Sequence, residues 1–220
     1  MNDIDHNFDQ IDGLYYSLVA NGGLDINQHL PRLRAMAEWA TVLHDEMAMD
    51  LADMGCALMA DGSAPPRDEA PQYTVVEMGV RTGVSTIALL CGRPKSMLSI
   101  DINSPPSMPT LQEVAKRRSV DWEFRQGSTL KMEPVSCVML FIDTLHTYTQ
   151  LKAELAIHGN CATKWLVFHD TTTFGVLGED GQAPGLVKAI DEFQAANPHW
   201  KTKIVAANNN GLTVLERVAS

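Results

Sequence analysis

Apolar residues change their spacing near residue 72. From Tyr73 onward the chain reads as short apolar runs separated by stretches of helical period. "YTVVE", "SMLSID", "DWEFR", "CVMLFID" and "KWLVFHD" are strand-like, and several are apolar throughout, as strands buried on both faces are. Between them "VSTIALL", "TLQEVAKR" and "YTQLKAELAI" predict helices. A loop, "TTTFGVLGEDGQAP", leads to a further helix, "GLVKAIDEFQAA", with Pro184 near its start and Asn197-Pro198 at its end. Strands alternating with helices predict a parallel sheet covered on both faces. The last two runs, "KTKIVAA" and "LTVLERV", flank "NNNG" and predict an antiparallel hairpin.

The first seventy residues have a different texture. Residues 1–28 show little periodicity. A long helix is then expected, with Pro31 in its first turn and Leu33, Ala37, Ala40, Leu43, Met47, Leu51, Met54 and Leu58 recurring every three or four positions. "ADGSAPPRDEAP" ends it. Such an amphipathic helix packs on the main domain or on a partner subunit, or serves as a lid. The His44-Asp45-Glu46 run on it reads as a solvated face, since adjacent helical residues point in different directions.

Composition narrows the classes. The 220 residues are 45% hydrophobic, enough for one sizeable core. A formal net charge of -10 disfavours nucleic-acid and anionic-membrane partners, which need a clustered basic surface. Cys56, Cys91, Cys137 and Cys161 form no Cys-x-x-Cys pair and read as reduced thiols. Without an apolar leader or a run of about 18 apolar residues, the expectation is a soluble cytoplasmic protein.

The candidate chemistry lies at strand ends. Glu77, Asp101, Asp143 and Asp170 each fall at the carboxyl end of an expected strand, where an open α/β sheet forms its ligand crevice. "VVEMGVRTGVST" places Gly79 and Gly83 in the turn after the first strand, and glycines there let the backbone approach a ligand. Val84-Ser85-Thr86 follows without a lysine, unlike a P-loop, and no third glycine completes a dinucleotide fingerprint. Asp101 stands where a ribose diol can be gripped. Gln126-Gly127-Ser128 meets an adenine edge or makes a plain turn, and Trp122 lies close to it. Asp143 and Asp170 either share a hard divalent cation, or Asp143 caps the helix starting near Thr147-Tyr148 while Asp170 caps its own turn. His146 and His169 flank them as general bases or as hydrogen-bonded pocket walls.

Taken together, "VVEMGVRTGVST", "LSIDINS", "LFIDTLHTY" and "WLVFHDT" resemble class I S-adenosylmethionine-dependent methyltransferases. The likeness is greatest to the small-molecule O-methyltransferases grouped with cephalosporin-hydroxylase-like and macrocin-type enzymes, over residues 72 to 217. It implies a Rossmann-like α/β fold: a mostly parallel seven-stranded sheet with a terminal antiparallel hairpin and helices on both faces. A methyltransferase domain over 71–220 would follow a helical extension over 1–70 that acts as lid or oligomer contact. The resemblance puts Glu77, Gly79, Gly83 and Ser85 beside the cofactor's methionine part, Asp101 on its ribose, and Gly127 and Ser128 near its adenine. Asp143 borders the cofactor too. In metal-dependent relatives Asp143 and Asp170 would hold magnesium, with Asp143, His146 and His169 as the catalytic candidates. Thr171 stands where such sites add a third acidic or amide ligand, with His169 on the other side of Asp170. The implied reaction is methyl transfer to a small-molecule hydroxyl. An NAD(P)-dependent oxidoreductase and a non-catalytic nucleoside-binding or assembly protein are the alternatives.

Overall fold

The computed structural model describes residues 71–91, 93–207 and 210–218. The helix expected after Pro31 and the whole 1–70 extension lie outside them. Seven strands appear where the apolar runs predict them: β1 (Tyr73–Met78), β2 (Ser96–Asp101), β3 (Asp121–Gln126), β4 (Cys137–Ile142), β5 (Ala162–His169), β6 (Trp200–Ala206) and β7 (Leu212–Arg217). Four helices connect them: α1 (Val84–Cys91), α2 (Met108–Arg118), α3 (Tyr148–His158) and α4 (Leu186–Ala196).

The strands lie in the order β3-β2-β1-β4-β5-β7-β6. β1 to β5 pair in parallel, and β7 runs antiparallel between β5 and β6. The expected hairpin is present, with Ala206 opposite Leu212. Its second strand is the one that docks on β5, where His169 stands opposite Leu212.

Side-chain alternation divides the core into two layers. Val76, Met78, Leu98, Ile100, Leu140, Ile142, Leu166 and Phe168 face Leu151 and Leu155 of α3 and Ala189, Ile190 and Phe193 of α4. The intervening residues Val75, Met97, Met139, Phe141 and Val167 face Leu89 and Leu90 of α1 and Val114 and Ala115 of α2. Each large side chain buried this way contributes roughly 1.5–3 kcal/mol before entropy is counted. The apolar, two-faced runs of β1, β4 and β5 are thereby explained: they are central strands with helices on both sides.

Strand order reverses between β1 and β4. Neighbouring connections diverge there, and it is at such a reversal that an open α/β sheet forms its ligand crevice, at the carboxyl edge. Asp101, Asp143 and Asp170 stand at the ends of their strands on that edge.

Candidate functional site

The crevice begins with the β1–α1 turn. Gly79 has φ 92°, and a side chain there would run into the Asp143 carbonyl. Glycine is therefore required twice over, for its left-handed backbone and for its missing Cβ. Gly79 N–H donates to the Ile100 carbonyl (2.9 Å), and Asp143 N–H donates to the Met78 carbonyl (2.8 Å). These bonds bring the ends of β2, β1 and β4 to one place. Gly83, at φ 88°, closes the turn by donating to the Val80 carbonyl (2.7 Å).

Asp101 braces this turn from the neighbouring strand. Its Oδ2 accepts the N–H groups of Val80 and Arg81, both at 2.8 Å, and its Oδ1 accepts that of Asn103 at 2.8 Å. Gly127 N–H donates to the Asp101 carbonyl (2.8 Å), so the loop holding Gly127 and Ser128 adjoins the same edge. Trp122 turns elsewhere: its indole N–H donates to Ser99 Oγ (2.9 Å) and its ring packs against the core.

Glu77 also behaves differently from its position in the motif. It belongs to the β1 face that meets α1, where its carboxylate turns to Ser85 and Thr86. Ser85, Thr86 and Ser99 donate hydroxyls to its carboxylate at 2.7, 2.8 and 2.7 Å. Complete burial pushes its carboxyl up to about 7, against the lowering effect of those three bonds. Ser85 is thus engaged with Glu77. Both hold the turn from behind.

A second acid cluster follows β4 and β5. Its centre is His146, whose Nε2 lies 3.0 Å from Asp143 Oδ1 and 2.9 Å from Asp170 Oδ2. Glu179 Oε2 takes the other ring nitrogen at 3.0 Å, and Phe174 stacks on the ring at 4.9 Å between centroids. His169 Nδ1 stands 3.4 Å from Asp143 Oδ1 and 3.2 Å from Asp170 Oδ1. Burial works against charge on His146, but Asp143 and Asp170 raise it to about 10. His169 is raised as well, against its own burial, with Asp143 the main partner. Burial alone would raise Asp143; hydrogen bonds from His146 and His169 instead hold it well below the usual carboxylate range. The cluster is a charged network, not a set of independent bases.

Asp143 does not cap the following helix. Thr147 does, its side chain accepting the Gln150 N–H of α3. Asp170 adopts φ 60°, a left-handed conformation that costs an ordinary residue energy and that Asp tolerates better than most. Its carbonyl is held by Phe174 N–H (2.9 Å), and the Asn210 carbonyl accepts the N–H groups of Thr172 (2.8 Å) and Thr173 (2.9 Å).

No family model and no curated protein matches the chain. Solved structures do. The chain superposes on the magnesium protoporphyrin IX methyltransferase of Synechocystis PCC 6803, solved with bound S-adenosylmethionine, at TM-score 0.53 and 14% identity. The match covers 100% of this chain and 98% of that one. The chain has the class I methyltransferase fold. The O-methyltransferase of Bacillus cereus, in complex with S-adenosylhomocysteine, aligns at TM-score 0.46 and 14% identity, over 78% of this chain and 90% of that one. The N-methyltransferase NodS of Bradyrhizobium japonicum aligns at TM-score 0.49 and 16% identity, over 66% and 85%.

Within the class I methyltransferase fold, the expected residues separate into groups. Gly79, Gly83, Asp101, Gly127 and Ser128 gather around the turn at the reversal point. Asp143, His146, His169 and Asp170 make the charged cluster beside it. Glu77 and Ser85 lie beneath. Sequence reasoning missed three contributors. Glu179 comes from the long loop after β5 and meets His146. Phe174, from the same loop, stacks on it. Glu154 of α3 is fully buried and accepts hydroxyls from Thr144 (2.8 Å), beside Asp143, and from Thr129 (2.6 Å), beside Ser128. Only a buried-face position for Glu154, three residues after Leu151, hinted at it.

Magnesium prefers an all-oxygen shell and retains several waters. Here His146 Nε2 fills the gap between the two aspartates, and His169 supplies another nitrogen. These residues do not fit magnesium, so no step below runs through it. Among the described residues, no helix is long and apolar enough to cross a membrane. Cys137 and Cys161 are free thiols, as expected.

Proposed function

We propose that the protein is an S-adenosylmethionine-dependent methyltransferase acting on a small-molecule hydroxyl. The observation that carries this reading is the Gly79 turn packed against the Asp143 backbone at the reversal point of a class I methyltransferase sheet. The missing Cβ of Gly79 lets the β1 and β4 ends pack backbone to backbone, which shapes the turn at the point where such sheets take a nucleoside cofactor. In this reading the β1–α1 turn borders the methionine part. Asp101 receives a ribose hydroxyl while continuing to brace the turn, and Gly127 and Ser128 flank the adenine. Residues 71–220 form the cofactor-binding domain, and 1–70 supply a lid or an oligomer contact. The protein works in the cytoplasm on a small molecule, with no nucleic-acid or membrane partner.

The cofactor supplies an electrophilic methyl on a sulfonium. The chain's task is to hold the acceptor oxygen in line with it and to receive the acceptor's proton. Alignment contributes most. His146 is the candidate base, with Asp143 and Asp170 stabilising the imidazolium it becomes. Between two carboxylates it holds its proton tightly, so the deprotonated fraction that can act as base grows with pH. His169 backs the same network from the β5 side.

Titration calorimetry with S-adenosylhomocysteine tests the cofactor half directly. Saturable binding is expected, and no heat of binding at millimolar ligand overturns the reading. Asp101→Ala separates enzyme from scaffold. An enzyme loses affinity and activity together, by about 1.5–3 kcal/mol in binding, whereas a scaffold's assembly is indifferent.

A further inference from the structure

Glu154 of α3 joins two loops that the sheet keeps apart. β2 and β1 lie between β3 and β4, so the carboxyl ends of β3 and β4 stand three strand spacings, about 14 Å, from each other. Among the described residues no backbone hydrogen bond links the loop after β3 to the loop after β4. Glu154 links them instead. Its Oε1 accepts the Thr129 hydroxyl at 2.6 Å, and its Oε2 accepts the Thr144 hydroxyl at 2.8 Å. Gln150, one turn earlier on α3, donates its amide to the same Oε1 at 2.8 Å. His158, one turn later, holds the Thr129 carbonyl through Nε2 at 2.8 Å. A carbonyl only accepts, so that nitrogen carries the ring proton. Thr129 directly follows Ser128, Thr144 directly follows Asp143, and the Thr144 backbone packs beside Gly79.

We infer that Glu154 is a positioning residue for the cofactor. It ties the wall that carries Ser128 to the wall that carries Asp143, and so sets where a bound nucleoside stands relative to His146. The inference rests on the methyltransferase reading of the crevice. Stability alone does not call for a carboxyl at this position. Glu154 is 0% exposed, on the helix face that also buries Leu151 and Leu155. A leucine of similar size would bury there without the cost of stripping a carboxyl of its water. A fully satisfied buried polar network has a different use, because it favours one arrangement of the parts it joins. The parts joined here are the two loops expected to face the cofactor.

The test titrates S-adenosylhomocysteine into the full chain at a temperature where circular dichroism shows the proteins folded. Glu154→Leu should weaken binding about tenfold or more. Glu154→Gln should recover most of that loss, since its amide can donate to one threonine hydroxyl while its carbonyl accepts the other. Thr129→Val and Thr144→Val each remove one end of the link, and each should weaken binding severalfold. The double variant should bind about as well as the weaker single one, because a link cut at either end is already lost. A folded Glu154→Leu with wild-type affinity overturns the inference. So do additive losses in the two threonine variants, which would make each a local prop. A Glu154→Gln as damaged as Glu154→Leu overturns it too. Should Glu154→Leu fail to fold, the threonine cycle is read in its place, with the same outcome expected. A wild-type protein that takes no S-adenosylhomocysteine overturns the methyltransferase reading and this inference together. Wild-type binding combined with any of the other failures overturns the inference alone.

Discussion

Glu77 and Asp143 end adjacent parallel strands and are linked through one glycine turn, yet they lead opposite lives. Glu77 is surrounded by three hydroxyls that satisfy it, and burial makes it the weaker acid. Asp143 is met by two imidazoles, and their charge makes it the stronger acid. The partners decide the difference. Neutral donors leave a buried carboxyl able to take up a proton near neutral pH, whereas cationic donors fix it as an anion. Glu77 therefore reads as a brace, and the Asp143 cluster as the charged centre to which the proposed reaction assigns its base.

The contrast can be broken by experiment, and the greatest effect is expected on the reactive side. Asp170→Asn removes one of the three carboxylate charges around His146. Turnover should fall about 10²–10⁴-fold, with S-adenosylhomocysteine affinity nearly unchanged; equal losses in both would show that the cluster is only structural. Gly79→Ala strikes the shared turn. A left-handed alanine costs about 1–2 kcal/mol, and its overlap with the Asp143 carbonyl adds to that. Thermal unfolding should shift down by several degrees, and cofactor binding should weaken with it.

Glu77→Gln probes the brace through pH. The folded carboxyl, at about 7, lies above its unfolded value of 4.5, so folding favours its protonated form. Its contribution is full below pH 4.5 and is lost as pH rises through about 7, a swing on the order of 3 kcal/mol. The variant should show a flatter stability curve between pH 5 and 8 by denaturant melts. An unchanged slope would mean that Glu77 is not the group responsible. The smallest effect is expected from Glu179→Gln. Glu179 is half exposed, and such an ion pair contributes about 0–1 kcal/mol. The kcat should fall less than about fivefold, and a much larger loss would promote Glu179 to the reactive side of the comparison.

Much of this arrangement was visible in the residues themselves. The strands of the sheet stand out because central parallel strands are apolar on both faces and turn residues bound them. The strand-end acids Asp101, Asp143 and Asp170 follow, since every parallel strand delivers its last residue to the same edge. The same two-sided apolarity hid the fate of Glu77. With Val75 and Val76 both buried, nothing in "YTVVE" tells which face the glutamate takes. Thr147 rather than Asp143 caps α3 because the chain needs three more residues after β4 before it turns into the helix. Glu179 arrives through a loop whose path depends on contacts with residues 146 and 182, which no local pattern encodes. The choice between a cation and a histidine at the centre is likewise set by distances, not by spacing along the chain.

The position of β7 has a bearing on how this protein comes into being. β5 carries His169 and leads into Asp170, but its outer edge is covered only by β7, and the Asn210 carbonyl that secures Thr172 and Thr173 comes from the turn just before that strand. β6 is made earlier yet has no sheet partner until β7 slides between it and β5. During synthesis, then, the Gly79 turn and its brace can form while the Asp143, His146, His169 and Asp170 cluster still has an open flank. A ribosome stalled before residue 210 would hold a nascent chain able to build the first half of the sheet and unable to pin the loop that follows Asp170.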